Sequence, residues 1–257
     1  MKSFSKLIRL VLCTLLAMPL AVQAQGAVQF VYESPDGARY QRGGESYSVE
    51  AGAILREGDR IATGNSTVIF SLGNGSLITV YPNSLLTIDS LVAPISLTLN
   101  QGEILGDNAA GSPIQVGTVA GTVKVSAGVF GVLASNMGTS SSVQVRNLDG
   151  TVSFRGAPDL DTSGSVVTLL EPNKEVMVPP GEELIVRGIY NEDSEVFAVA
   201  REGVALAVLS PAAVGEIREA VEVMSSVTLP ESVEAPAVPP TIIEIPVEDV
   251  DTASDKG

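Results

Sequence analysis

From about Ala27 to Gly188, apolar and polar residues alternate in short runs separated by turn dipeptides. Val68, Phe70 and Leu72 alternate with Ile69 and Ser71, and Leu77 to Tyr81 returns after Asn74-Gly75. Asn-Gly accepts the positive φ angles of a tight hairpin turn, so the two runs read as a β-hairpin. Val123, Val125, Ala127 and Val129 share one face, and Thr122, Lys124, Ser126 and Gly128 take the other. Val143 and Val145 oppose Gln144 and Arg146; Asp149-Gly150 turns the chain, and Val152 and Phe154 resume the apolar face. Val166 to Leu170 pairs with Val176 to Val178 around Pro172-Asn173, and Leu184 to Val186 closes the zone. A period of two buries one face of each strand and leaves the other solvated. The pattern predicts an all-β domain over 27–188, a sandwich or short β-roll of roughly ten to fourteen short antiparallel strands.

The period then changes. Residues 192–227 carry helical spacing and much Ala and Glu, which predicts a small C-terminal helical appendage. Asp193 or Ser194 caps a first expected helix running to about Leu209, with Gly203 as its weak point. Ser210 and Pro211 start a second, serine as N-cap and proline at the first helical position. In it Val214, Ile217, Val221 and Met224 form an apolar stripe that can dock on the β domain or support self-association with another copy. Residues 228–257 hold five prolines and seven acids against one lysine, the composition of a disordered acidic tail.

The first 24 residues read as a signal peptide. Lys2, Lys6 and Arg9 precede the apolar run Leu10 to Leu20, and Val22-Gln23-Ala24 offers small residues for cleavage. The run is shorter than the roughly 20 residues a bilayer requires, so no stable membrane insertion is expected once it is removed. Cys13 falls inside this leader, and Leu12 before it is too bulky for lipoprotein processing. The expected location is the periplasm, the cell envelope or the exterior of a bacterium.

Charge and residue types narrow the chemistry. Cleavage removes three positive charges and moves the formal balance from −15 to −18, which disfavours nucleic acid and anionic lipid as partners. The mature chain has no histidine and no cysteine, which excludes Ser-His-Asp and Cys-His nucleophiles and His- or Cys-ligated zinc. Lys124 and Ser126 share a strand face, but activating the serine requires a lysine stripped of water, and the alternation puts both on the solvated face. Asp159, Asp161, Ser163 and Gly164 imitate the start of a calcium loop, yet Leu170 stands where the bidentate glutamate belongs and Glu171 comes one residue late. Thirty acids allow no pair to be singled out for glycoside hydrolysis. The 25 glycines include no phosphate-binding G-x-x-x-x-G-K-[ST] phrase. No catalytic, cofactor-binding or metal residue is nominated, and no cofactor is expected.

One series of phrases carries a resemblance. Gly52 to Gly64 contains Gly58-Asp59 and Thr63-Gly64 ahead of the aliphatic run Ser66 to Leu72, with Asn74-Gly75-Ser76 after it. Pro82-Asn83-Ser84, the Leu97 to Ile104 stretch with Gln101-Gly102-Glu103, Val116-Gly117-Thr118, Gly128-Val129-Phe130, Asn147 to Phe154 and Gly181-Glu182 follow in order. Together these resemble the FecR family over about Val49 to Val186; at Gly128-Val129-Phe130 the family's threonine is replaced. The family's best-known members are periplasmic regulators that relay transporter occupancy to a sigma-factor system through a transmembrane helix. The only apolar segment here is the leader, so the resemblance implies a free-standing exported β domain, and no functional residue transfers.

The resulting expectation is a non-catalytic envelope or secreted scaffold whose partner is an unknown envelope protein or glycan. A periplasmic sensor acting with a separate membrane or sigma-factor partner is one alternative, and a glycan- or peptidoglycan-binding module is another. Aromatic residues at 4% weaken the glycan reading, because sugars stack on aromatic faces. Limited proteolysis is expected to trim the chain from its C-terminus to near Val227 and leave a resistant core; protection of the last thirty residues would contradict the tail assignment.

Overall fold

The computed structural model describes residues 28–31, 37–72, 75–109, 111–137, 140–158, 172–191, 196–198 and 204–227. The leader with Cys13, the calcium-like Asp159 to Gly164, the strand expected over Val166 to Leu170, the Asp193 and Ser194 caps and the 228–257 tail lie outside them. The first strands are β1 (Gln29–Phe30), β2 (Arg39–Arg42), β3 (Glu45–Ser48), β4 (Arg60–Ala62), β5 (Val68–Ser71) and β6 (Leu77–Val80). Next come β7 (Leu85–Ser90), β8 (Ile95–Asn108), β9 (Ile114–Thr118), β10 (Gly121–Met137), β11 (Ser140–Asn147) and β12 (Thr151–Gly156). The chain continues through β13 (Glu175–Val178), β14 (Glu182–Asn191), β15 (Val196–Ala198), β16 (Val204–Val208) and the helix α1 (Pro211–Ser226). The fold class is all-β with a C-terminal helix, as the alternation predicts.

The strands form one open sheet folded over on itself. An upper leaf runs β1-β5-β6-β8-β10-β11-β14-β16, and β15 extends the far end of β14. A lower leaf runs β3-β2-β4-β7-β8-β9-β10-β12-β13. Among the described strands only β8 and β10 belong to both. β8 pairs with β7 and β9 through its first half, then with β6 and β10 through its second. β10 pairs with β9 and β12 up to Ala127, then with β8 and β11 from Gly128 onward.

Each shared strand bends at a glycine with positive φ, Gly102 (94°) in β8 and Gly128 (97°) in β10. Only glycine adopts this conformation without strain, and here space forbids a side chain as well. A Cβ at Gly102 would lie 2.4 Å from the Ser84 Cα, and one at Gly128 would lie 1.9 Å from the Asp149 carbonyl oxygen. The bends, with bulges beside them, reverse the side-chain parity. Ile95, Leu97 and Leu99 point into the core before the bend, and Ile104 does so after it. In β10 Val123 and Val125 are core residues, then Phe130, Val132 and Ala134. The single face expected for Val123 to Val129 is therefore broken: Ala127 is exposed, and Val129 joins a second cluster outside the upper leaf. The extra residue at the bulge is the cause.

Both leaves contribute to one core. Phe30 of the upper leaf lies 5.6 Å from Tyr40 of the lower, centroid to centroid, and 6.5 Å edge-on from Phe70. Asp149-Gly150 carries the chain from the upper leaf to the lower rather than into a hairpin, since β11 and β12 pair with opposite halves of β10 and not with each other. The Asp59 carboxylate is fully buried and takes both Nε and Nη2 of Arg42, at 2.8 and 2.6 Å, plus the Arg56 N–H at 2.8 Å. This bidentate pair ties β2 to the turn before β4.

Two expectations about the C-terminal region are revised. Of the first expected helix, Asp193 to Leu209, the described residues 196–198 and 204–208 are strands on β14 instead. Ala-rich composition favours a helix there, but the open edge of β14 supplies a hydrogen-bond ladder and the β-branched Val204 and Val208 suit it. The second helix forms as expected, with Ser210 Oγ accepting the Ala213 N–H at 3.1 Å and Pro211 at its start. Its stripe is not free for self-association. Ile217 and Met224 are buried against Val31, Ile69 and Leu105 on the outer face of the upper leaf, with Val221 partly buried beside them. Each of the two buried side chains contributes about 1.5–3 kcal/mol to holding the helix down.

Gly128→Ala is expected to destabilise the protein by about 3–4 kcal/mol, from strain and the collision with Asp149. Gly58→Ala, at φ 86° but with open space, should cost about 1–2 kcal/mol. Urea unfolding of both variants measures the difference, and equal losses would refute a sterically closed bend.

Candidate functional site

Docking of α1 leaves a cleft of about 460 Å³ between one flank of the helix and the outer face of the upper leaf. Its floor is built from alternate residues of neighbouring strands, Ile69 of β5, Thr79 of β6, Glu103 and Leu105 of β8, Gly131 of β10 and Arg146 of β11, with Thr67 and Tyr81 at the strand ends. Glu216, Ile217, Glu219, Ala220 and Val223 of α1 form the other wall. The volume falls within the range of small-ligand and side-chain pockets.

Glu103 is set by the Gly102 bend. Ser84 packs against Gly102, accepts the Glu103 N–H at 2.9 Å and donates its hydroxyl to the Glu103 carbonyl at 3.3 Å. Ser84 is in turn held by Thr63, whose Oγ1 accepts the Ser84 N–H at 2.9 Å and donates to the Tyr81 carbonyl at 2.8 Å. The Thr-Gly and Pro-x-Ser phrases of the sequence are thus buried clamps beneath the cleft, not ligand contacts.

Arg146 reaches Glu103 across an intervening strand. Gly131 stands between them on β10, paired with Arg146, and the arginine Cβ and Cδ lie 3.6 and 3.7 Å from where a side chain there would begin. With that position empty of side chain, Arg146 Nη1 donates to Glu103 Oε1 at 2.9 Å and Nη2 to Gln144 Oε1 at 3.3 Å. Glu183 on β14 completes the row, 3.8 Å from Arg146 Nε and hydrogen-bonded by Gln144. Arg146 Nε has no hydrogen-bond partner among the described residues, and neither has Thr79 Oγ1, a hydroxyl buried in the cleft floor. Both atoms are closed off from solvent, and a buried polar atom without a partner costs about 1–3 kcal/mol.

Burial pushes the Glu103 carboxyl up from its usual range; Arg146 opposes the shift and the nearby Glu216 adds to it. Burial likewise raises the Tyr81 hydroxyl, helped by Glu103. The cleft lining therefore presents three carboxyl side chains, Glu103, Glu216 and Glu219, against one guanidinium already engaged. Apolar Ile69, Leu105, Ile217 and Val223 fill the space between. Such a site suits a ligand with cationic and aliphatic groups.

None of the residues weighed for catalysis lies here. Lys124 points from the outer face of the lower leaf toward Glu175, 3.8 Å away, and Ser126 is exposed at the β10 bulge. Among the described residues no three acidic, histidine or cysteine side chains converge as a metal site, and no helix is long and apolar enough to cross a membrane. The cleft residues escaped the sequence reading, although Arg146 was placed on a polar strand face and Glu103 stood in a recognised phrase. Their meeting depends on β8 and β11 being separated by one strand, which local pattern does not encode.

Comparison with known proteins adds the following. The family model described as FecR protein matches residues 59–153, which contain both bends and the floor residues Glu103 and Arg146 but not α1. Two crystal structures of a candidate anti-sigma factor from Parabacteroides distasonis are similar, at 17% and 16% identity and a TM-score of 0.40. Each alignment covers 58% of this chain, which spans 59% of the other's length. No curated protein matches.

Replacing Arg146 by Met removes the charge that favours ionised Glu103, so the Glu103 carboxyl should titrate higher still. A folded-state value above the unfolded one means that the native protein binds the extra proton, so stability falls as pH rises through that window. The variant should therefore lose more stability than the wild type as pH rises above the ordinary carboxylate range. Carboxyl NMR titration and urea melts at several pH values test this; an unmoved Glu103 titration would disprove the coupling.

Proposed function

We propose, from the FecR domain that residues 59–153 of this chain form, that it is a non-catalytic regulatory sensor that binds a segment of a partner protein. On this reading the protein is exported, works in the bacterial envelope and acts with a separate membrane or sigma-factor partner. The observation that carries the proposal is the cleft itself: a recessed, apolar and acidic groove whose floor belongs to the FecR domain and whose wall is a helix outside it. A scaffold role, placed first by the sequence alone, gives no purpose to a recessed groove with this lining. A hydrolase would need a nucleophile or an acid–base pair facing open space, whereas Glu103 is occupied by Arg146.

The favoured occupant is a peptide segment with lysine or arginine flanked by aliphatic residues. The acidic rim attracts the cation and the space between Ile69, Leu105 and Val223 takes the apolar neighbour. Binding under a helix wall also gives the ligand a means of altering how α1 sits, which is what a sensor requires.

Calorimetric titration with a synthetic Lys/Leu peptide and with its Glu/Leu counterpart provides the test. The basic peptide should bind at least about tenfold more tightly, a difference of about 1.4 kcal/mol. Gly131→Val, which fills the floor at ordinary backbone φ, and Glu219→Lys, on the exposed rim, should each remove most of that preference. Equal affinity for the two peptides, or binding indifferent to both substitutions, would rule the cleft out as the recognition site.

A further inference from the structure

We propose that α1 is a proton-sensitive cover, closed on the upper leaf while the carboxyls beneath it are neutral and loosened as they ionise. The device operates with the cleft empty, so it stands or falls apart from the peptide reading. Side chains alternate along β8, and past its bend Glu103, Leu105 and Asp107 share the outer face of the upper leaf. Leu105 belongs to the cluster that holds Ile217 and Met224 of α1. One carboxyl therefore stands on each side of the residue that anchors the helix. Glu103 lies in the cleft floor, across from Glu216 and Glu219. Asp107 is level with Leu77 on β6 and Val129 on β10, and both of these pack into the same cluster.

The charges that meet there are one-sided. Glu103 faces the Arg146 guanidinium from β11, the Tyr81 hydroxyl from the end of β6, and Glu216 and Glu219 from α1. Glu183 of β14 bears on it only through Arg146. Arg218, the one basic residue of α1, is exposed and takes no part in the cleft wall. Docking thus brings two carboxylates and no cation toward Glu103, and takes water away from it. Arg146 belongs to the sheet, so it stays beside Glu103 whether the helix is down or up. It does not offset the approach of α1.

Titration follows from this arrangement. Burial pushes the Glu103 carboxyl up, opposed by Arg146 and assisted by Glu216, and burial alone pushes up Asp107. Burial also raises the Tyr81 hydroxyl, which stays neutral throughout. Lifting α1 returns water to Glu103 and moves Glu216 away, so the lifted state holds the proton less tightly. The closed state binds the extra proton. Closure is therefore fully favoured below the ordinary carboxylate range and weakens as pH rises through the raised values. The cluster beneath α1 is separate from the core shared by the two leaves, so the helix can lift while that core stays intact.

Amide hydrogen exchange of the full chain, corrected at each pH for the intrinsic chemical rate, reads the closure directly. From the ordinary carboxylate range to neutrality, protection of the α1 amides should fall at least about threefold more than that of the β11 amides. Glu103→Gln should reduce that difference and raise α1 protection at neutral pH. This variant also deprives Arg146 of an ionic partner, so a second keeps the pair intact. Glu216→Gln, on the exposed side of the wall, should raise α1 protection at neutral pH and leave β11 unchanged. Glu222→Gln, on the same helix but outside the cleft lining, should behave as the wild type. Parallel loss of protection in α1 and β11, a profile that Glu103→Gln and Glu216→Gln leave unaltered, or an equal effect of Glu222→Gln would overturn the proposal.

Discussion

Two strands have to serve both leaves of this sheet, and everything else is arranged around that requirement. A strand that crosses from one leaf to the other must turn its backbone sharply and still present apolar side chains to the shared core. β8 and β10 do this at Gly102 and Gly128, where a positive φ reverses which alternate residues face inward. Before each bend the odd-numbered residues are in the core, and after it the even-numbered ones are. The outward faces change parity too, which is why Leu105 and Val129 emerge on the outside of the upper leaf. That outer apolar patch is what holds α1. The helix, the cleft under it and the acidic wall it supplies are therefore consequences of two residues that lack a side chain.

The same bends link the recognisable phrases of the sequence to the geometry of the cleft. Thr63, Ser84 and Gly102 form a stack of contacts from the turn after β4 to the backbone of Glu103. Gly131 performs a similar service by leaving a gap over β10 through which Arg146 passes. The row Glu103, Arg146, Gln144 and Glu183 is drawn from β8, β11 and β14, with Gly131 of β10 between the first two strands. Its members are oriented by backbone packing rather than by solvent, which gives the groove a defined chemical character.

Period-two alternation and turn dipeptides made the β class legible, along with the pairing of Val68–Ser71 with Leu77–Val80. Helical spacing located α1, its serine cap and the residues it buries. What could not be read was which glycines bend and which merely turn. Gly58 and Gly128 look alike in sequence, yet only the second is enclosed by another segment. The β11–β12 connection was obscured for a related reason, since Asp149-Gly150 suits a hairpin and a corner equally. Val204–Val208 was misread because alanine and leucine favour helix when nothing else decides, and here the free edge of β14 decided. The Glu103–Arg146 pair joins residues 43 apart, a distance over which neither periodicity nor spacing carries information.

The helix that covers the upper leaf begins more than fifty residues after the stretch that matches the FecR model. The sheet thus has an outer oily seam, Ile69 and Leu105 among its members, whose cover is contributed by a late part of the chain. During synthesis those side chains leave the ribosome well before their lid exists. Wherever the sheet forms before α1 follows it, that seam is wet, and another apolar segment can compete with α1 for the same ground.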